Sequence, residues 1–253
     1  MDLRRRLIFH YALFANSQNA NGAAGSSGRA EVIGNDLLIT LGSLGVSTAT
    51  DQGINIAIHL QAGTLMHELG HNLGLLHGGD ENTNYKPNYL SVMNYLHQFN
   101  GLDPDPKSIT AYQRWRSQKG DSTPNRCDLV ASPCGSTNQF ILNYSNGTSS
   151  NLNEASLLES SNIGRGANVG AYADWNLDGS LTATPVSRDL NADGALTILK
   201  DHNDWSNLVF PFARNYQGNF GASLRNSDNS LPVNLIGNDR QPISVEYDSI
   251  PRW

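Results

Sequence analysis

Eleven consecutive residues, His67-Glu68-Leu69-Gly70-His71-Asn72-Leu73-Gly74-Leu75-Leu76-His77, gather three imidazoles, one carboxylate and two glycines. On a helix, His67 and His71 stand four apart and share one face, a turn from each other. That spacing lets both rings reach one tetrahedral cation at about 2.0–2.1 Å per bond. Glu68 projects to the side of the same face, where it can meet a water held by the cation without itself ligating. A straight helix would carry a third ligand away. Gly74 allows a turn at positive φ that swings His77 back. Three neutral imidazoles leave zinc its full double charge and one open position, so that a water there becomes acidic. Glu68 would take that water's proton during attack on a carbonyl and pass a proton to the leaving amine. The plain alternative is a histidine-rich buried helix. Five fixed positions arise by chance in a chain this long about once in ten thousand, which weighs against it.

These residues need elements to hold them. From about Ile56 to Leu73, apolar side chains recur at spacings of three and four (Ile58, Ala62, Leu65, Met66, Leu69, Leu73), which predicts a helix with that face in the core and an end at Gly74. Leu7 to Ala15 and Asp36 to Leu41 read as strands, with a small-residue loop over Asn16 to Gly28 between them. Asn151 followed by Glu154 resembles a capping box, predicting a helix that includes Leu157 and Leu158. No repeat of 20 to 50 residues and no linker is visible. We expect one domain of two lobes, residues 1–77 and 78–253.

With 253 residues, 38% hydrophobic and 16% charged, the chain can bury a substantial core. A net charge of −6 argues against a nucleic-acid partner. No stretch approaches the roughly 20 apolar residues of a membrane span. Leu7–Ala15 follows three arginines and imitates a signal peptide, but is short and lacks a small-residue cleavage site. A strand is the favoured reading, with a signal or pro-segment expected upstream of Met1. Cys127 and Cys134 enclose a short polar loop between Pro124 and Pro133. A disulfide there implies an oxidising, extracytoplasmic setting, and two unpaired thiols are the alternative.

Two segments share the form D-x-N-x-D-G: Asp174, Asn176, Asp178 with Gly179, and Asp189, Asn191, Asp193 with Gly194. Alternating oxygen side chains before a glycine can wrap calcium, as in the first half of an EF-hand loop. Position 12 is Pro185 or Lys200, so neither is an EF-hand. Asp201 or Asp204 could close the second loop, and Asp189 the first. Paired Asx-turns with solvated carboxylates remain the alternative.

The motif HExxHxxGxxH with a methionine downstream, Met93 in Ser91-Val92-Met93-Asn94-Tyr95, resembles the metzincin zinc peptidases. The resemblance covers residues 67–95. It implies an α+β fold with a twisted mixed sheet and active-site helix in the N-terminal lobe and an irregular C-terminal lobe. It also implies zinc on His67, His71 and His77, Glu68 as base, and Met93 as an apolar floor beneath the histidines. A tyrosine at the place of Tyr95 is a fifth zinc ligand in astacins and serralysins that swings away to stabilise the transition state, and the resemblance implies that role for Tyr95; a buried tyrosine packed near the site is the alternative. The residue after the third histidine is Glu, Asp, Ser or Pro in the branches; here it is Gly78, so no branch is assigned. Asp80 either tethers this turn or is a solvated loop residue.

The expected protein is a secreted, monomeric zinc endopeptidase acting on protein or peptide substrates, with calcium as a structural ion. Two rivals are a calcium-dependent binding or adhesion module on an inactive zinc fold, and a zinc hydrolase of non-peptide amides. Glu68 weighs against the first.

Overall fold

The computed structural model describes residues 9–19, 21–22, 25–102, 141–159, 173–180 and 182–210, together with the strand at 245–247. Cys127 and Cys134 lie outside these residues. By contact the chain forms two compact units: residues 1–43, 68–75 and 207–250, and residues 44–67, 76–206 and 251–253. The architecture is mixed α and β, with one α-helix among the described residues.

The first unit holds a four-stranded sheet in the order β1-β3-β2-β6, where β1 is Tyr11–Ala15, β2 Gly28–Glu31, β3 Asp36–Thr40 and β6 Val245–Tyr247. β1 runs parallel to β3, with Leu13 opposite Leu38. β2 runs antiparallel to β3, with Ala30 opposite Leu37, and β6 antiparallel to β2. Ala30, Leu37 and Ile39 are its buried apolar residues. β1 and β3 form within the two segments expected to be strands, whereas Gly28, expected in a loop, opens β2. β2 is only four residues long, and Gly28 and Arg29 carry none of the β-branched signal a strand usually shows.

Helix α1 spans Asp51–Asn72. It starts five residues before the apolar periodicity because Thr50 caps it, its hydroxyl oxygen accepting from the Gly53 amide at 3.1 Å. Of the expected stripe, Leu73 is buried, Ala62, Leu65, Met66 and Leu69 are half-buried and Ile58 is exposed. The most deeply buried positions, Gly53, Leu60, Gly63, Thr64, His67, Glu68 and His71, are mostly small or chemically active residues that apolar spacing does not mark.

The last carbonyls of α1, which a helix leaves unsatisfied, are taken by its own unit. The Ile33 amide donates to His71 O, Gly34 to Asn72 O and Val209 to Leu73 O. Asn72 fastens the helix end to both inner strands: its Nδ2 donates to Glu31 O at 2.8 Å and to Asp36 O at 3.1 Å. His10 Nδ1 lies 2.9 Å from its Oδ1.

Beyond α1, the described residues of the second unit are largely irregular. Its core joins Leu96, Leu152, Leu157, Ala173, Trp175, Leu190 and Leu199. β4 (Leu152–Asn153) pairs antiparallel with β5 (Ile198–Leu199). The helix expected after Asn151 is not formed: a turn over 154–155 follows β4. Glu154 faces inward rather than back to Asn151, accepting from the Leu190 amide at 2.6 Å and the Thr197 amide at 2.9 Å. Tertiary donors outcompete the local cap.

Candidate metal centre

His67, His71 and His77 are buried, and their ligand atoms all lie within 4.8 Å of one another. Among the described residues no other set of three or more histidine, cysteine or acidic side chains is gathered this way. Each helical imidazole is oriented by a carbonyl. His67 Nδ1 lies 2.8 Å from Val92 O, and His71 Nδ1 lies 2.8 Å from Leu75 O. A carbonyl can only accept, so each Nδ1 carries the proton and each Nε2 keeps its lone pair. That is the tautomer a metal needs. Three imidazoles gathered in this way fit a metal ion.

The turn that returns His77 follows from Gly74, whose φ is +92°, a conformation costly for any residue with a Cβ. The Gly74 amide donates to His71 O and the Leu75 amide to Gly70 O, closing the helix end. His77 is followed by a tight loop in which the Gly78 amide donates to Glu81 O at 2.7 Å. A side chain at position 78 would meet Thr83 O at 2.5 Å, which accounts for glycine there. The loop is held by Lys86, a fully buried lysine whose ammonium donates to Gly78 O at 2.8 Å and Glu81 Oε1 at 2.9 Å. Asp80 is exposed, with His202 Nδ1 3.4 Å from its carboxylate. Nothing in the sequence spacing identified Lys86.

Glu68 is fully buried beside His67 on α1. Its carboxyl rests against the bare Cα of Gly28 in β2: a methyl there would lie 2.5 Å from Cδ and 2.7 Å from Cγ. Gly28 was not singled out from the sequence; only the fold brings position 28 to position 68.

Met93 is buried in the turn 91–95. The Ser91 hydroxyl accepts from the Met93 amide at 3.2 Å, and Asn94 Nδ2 donates to Lys86 O at 2.7 Å and Tyr89 O at 2.9 Å. The Tyr95 ring sits 4.6 Å from that of His77 and 5.7 Å from that of His67, centroid to centroid. Tyr85 meets Tyr95 edge-on at 5.7 Å with its own backbone at φ +58°. One atom, Asn84 Oδ1, accepts from the amides of both tyrosines. The Tyr95 ring thus packs beside those of His67 and His77.

The Asp-rich segments form two matching loops. Asp174 accepts from the amides of Asp178 and Gly179, and Asp189 from those of Ala192 and Gly194. Asn176 Nδ2 donates to Asp178 Oδ2, as Asn191 Nδ2 does to Asp193 Oδ2. Leu177 and Ala192, at equivalent positions, have φ of +62° and +61°. The likeness extends over nine residues, DWNLDGSLT and DLNADGALT, further than the six read from the sequence. Each loop also receives one buried glutamate. Glu159 accepts from the Thr182 amide and hydroxyl, and Glu154 from those of Thr197. The Ser180 hydroxyl and amide beside Asp178 hold its carboxyl below the ordinary carboxylate value. Asp201 is engaged elsewhere, accepting from the Ser145 hydroxyl at 2.7 Å and the Ser149 amide at 2.9 Å.

Comparison with protein-family models, curated proteins and solved structures finds no match to this chain. No described helix is long and apolar enough to cross a membrane.

Proposed function

We propose that the chain is a metzincin-like zinc endopeptidase that acts outside the cytoplasm. The observation that carries this reading is the trio of buried histidines, two with Nδ1 committed to a carbonyl, next to a buried glutamate. Zinc on His67, His71 and His77 would supply a Lewis acid that polarises the substrate carbonyl and acidifies water. The chain's own groups do the rest. A Glu68 oxygen takes the proton of the attacking water and returns it to the amide nitrogen as the C–N bond breaks. The Tyr95 hydroxyl donates a hydrogen bond to the oxygen that gains charge. A general base of this kind is worth about 10²- to 10⁴-fold in rate.

We assign calcium to the loops of Asp174, Asn176 and Asp178 and of Asp189, Asn191 and Asp193. The support is their shared side-chain pattern and the positive φ at the equivalent residues Leu177 and Ala192, and an ion there would order a polar segment. Asp201 instead holds Ser145 and Ser149.

The test compares wild type with Glu68→Ala on casein, with zinc content measured in both. Cleavage by wild type and at least a 100-fold loss in the variant at equal zinc is the expected result. Equal cleavage by both sinks the mechanism. Zinc uptake without cleavage by either favours a binding module.

A further inference from the structure

Asp204 is fully buried and belongs to neither the histidine motif nor the Asp-rich loops. An ionised carboxylate removed from water is costly unless donors surround it. Here they come from two distant segments. Tyr89 OH lies 2.8 Å from Oδ1, the Ser91 hydroxyl 2.6 Å from Oδ2, and the Ser145 amide 2.9 Å from Oδ2. Two of these donors flank the turn that carries Met93, 113 and 115 residues from Asp204 in sequence.

The contacts continue towards the metal centre. Ser91 gives its proton to Asp204, so its oxygen is free to accept from the Met93 amide at 3.2 Å. Between them sits Val92, its amide bound to Asn143 O at 2.9 Å and its carbonyl to His67 Nδ1 at 2.8 Å. The segment that supplies Asn143 and Ser145 is itself tied to the same carboxylate. Both sides of the Val92 peptide are therefore referred to Asp204. Asn94 also ties this turn to Lys86 and Tyr89, but Asp204 alone among these contacts joins Ser91 on one side of the Val92 peptide to the 143–145 segment on the other.

We propose that Asp204 is a positioning residue that sets the orientation of His67 through Ser91 and the Val92 carbonyl. This rests on the reading of His67, His71 and His77 as a metal site. Groups that orient a metal-ligating histidine from behind typically change metal affinity by about 10- to 100-fold when lost. Glu154 provides the matched comparison: an equally buried carboxylate, equally supplied with backbone and hydroxyl donors, but joined to residues 190 and 197 instead of the Met93 turn.

The experiment measures Zn²⁺ affinity of the full chain by chelator competition, and the Co²⁺ absorption spectrum, for wild type, His67→Ala, Asp204→Asn, Ser91→Ala and Glu154→Gln. Asp204→Asn and Ser91→Ala should each weaken Zn²⁺ by about 10- to 100-fold and shift the cobalt bands. The double variant should lose no more than the worse single, because both act on one link. Glu154→Gln should lower thermal stability and leave Zn²⁺ affinity unchanged. If Asp204→Asn does not fold, Ser91→Ala decides alone. Folded Asp204→Asn or Ser91→Ala with wild-type affinity, or an equal loss in Glu154→Gln, overturns the proposal while His67→Ala still abolishes binding. Failure of the wild type itself to hold Zn²⁺ overturns the metal site and this inference together.

Discussion

Gly28→Ala isolates Glu68 from the rest of the site. The glycine lies in β2 opposite Ile39, outside the left-handed region of φ, so alanine suits the backbone there. The new methyl, however, would stand 2.5 Å from Glu68 Cδ and nearer still to Oε1, where ordinary contact begins at 3.4 Å. The carboxyl must retreat by about 1 Å, and since Glu68 is fully buried it cannot simply turn into solvent. Misplacing a reacting group by about 1 Å costs on the order of 100-fold in rate, equivalent to about 2.7 kcal/mol of barrier. Overpacking of this size costs about 1–3 kcal/mol of stability, which leaves the protein folded. The assay is kcat/KM on a quenched peptide or casein, beside zinc content and a thermal melt. We expect about a 100-fold loss at full zinc occupancy, and no further loss when Gly28→Ala is added to Glu68→Ala. Wild-type kcat/KM in a folded, zinc-replete Gly28→Ala protein refutes the placement of Glu68 as base. A loss that tracks zinc release instead points to disturbed ligands.

Lys86→Met removes a buried ammonium from Gly78 O and Glu81; charged hydrogen bonds of this kind are worth about 1.5–3 kcal/mol, and urea unfolding should show a loss of that order. A smaller loss means the loop after His77 holds itself. Burial raises the Asp204 carboxyl above its ordinary value of 3.8, against the opposing hydrogen bonds of Ser91, Ser145 and Tyr89. The folded protein then binds that proton more readily than the unfolded chain, so this group's contribution falls as pH rises from about 3.8 through its folded value and is level above it. Asp204→Asn lacks the slope; the stability lead of wild type over it should narrow across that window, and a lead that widens contradicts the burial argument. Selective calcium removal should lower the melting midpoint by about 5–10 °C if calcium had been present near 100 times its Kd. Unchanged melting curves with and without calcium would count against ions in the 174–194 loops.

What the sequence made legible is what depends on nearest neighbours. His67, His71 and Gly74 declare themselves because a helix turns every 3.6 residues and only glycine turns easily at φ +92°. Tyr95 could be placed because it follows Met93 at a short, fixed distance. Gly28, Asn72 and Lys86 could not, since each owes its role to a partner the chain reaches only by folding. The inward face of α1 was legible only in part, because the rule that apolar residues point inward fails where a helix turns glycine, threonine, histidine and glutamate to the interior.

The second unit carries the same lesson further. Its described strands β4 and β5 have two residues each, too few for a ladder to satisfy the backbone of so much irregular chain. Three fully buried carboxylates take over part of that task. Glu154 accepts backbone amides from the 189–197 loop, Glu159 from the 174–182 loop, and Asp204 from the 145 segment together with the hydroxyls around Met93. None belongs to a periodic pattern, and Glu154 imitates a helix cap, so hydrophobic spacing passes over all three. Their burial separates them from the loop aspartates 178 and 193, which are exposed and only bond within their own turns. Truncating a buried acceptor strands several donors at once, whereas truncating an exposed one returns its donors to water. Asp204→Ala should therefore destabilise the chain several-fold more than Asp193→Ala in metal-free urea titrations, and equal losses would mean that burial does not separate the two classes.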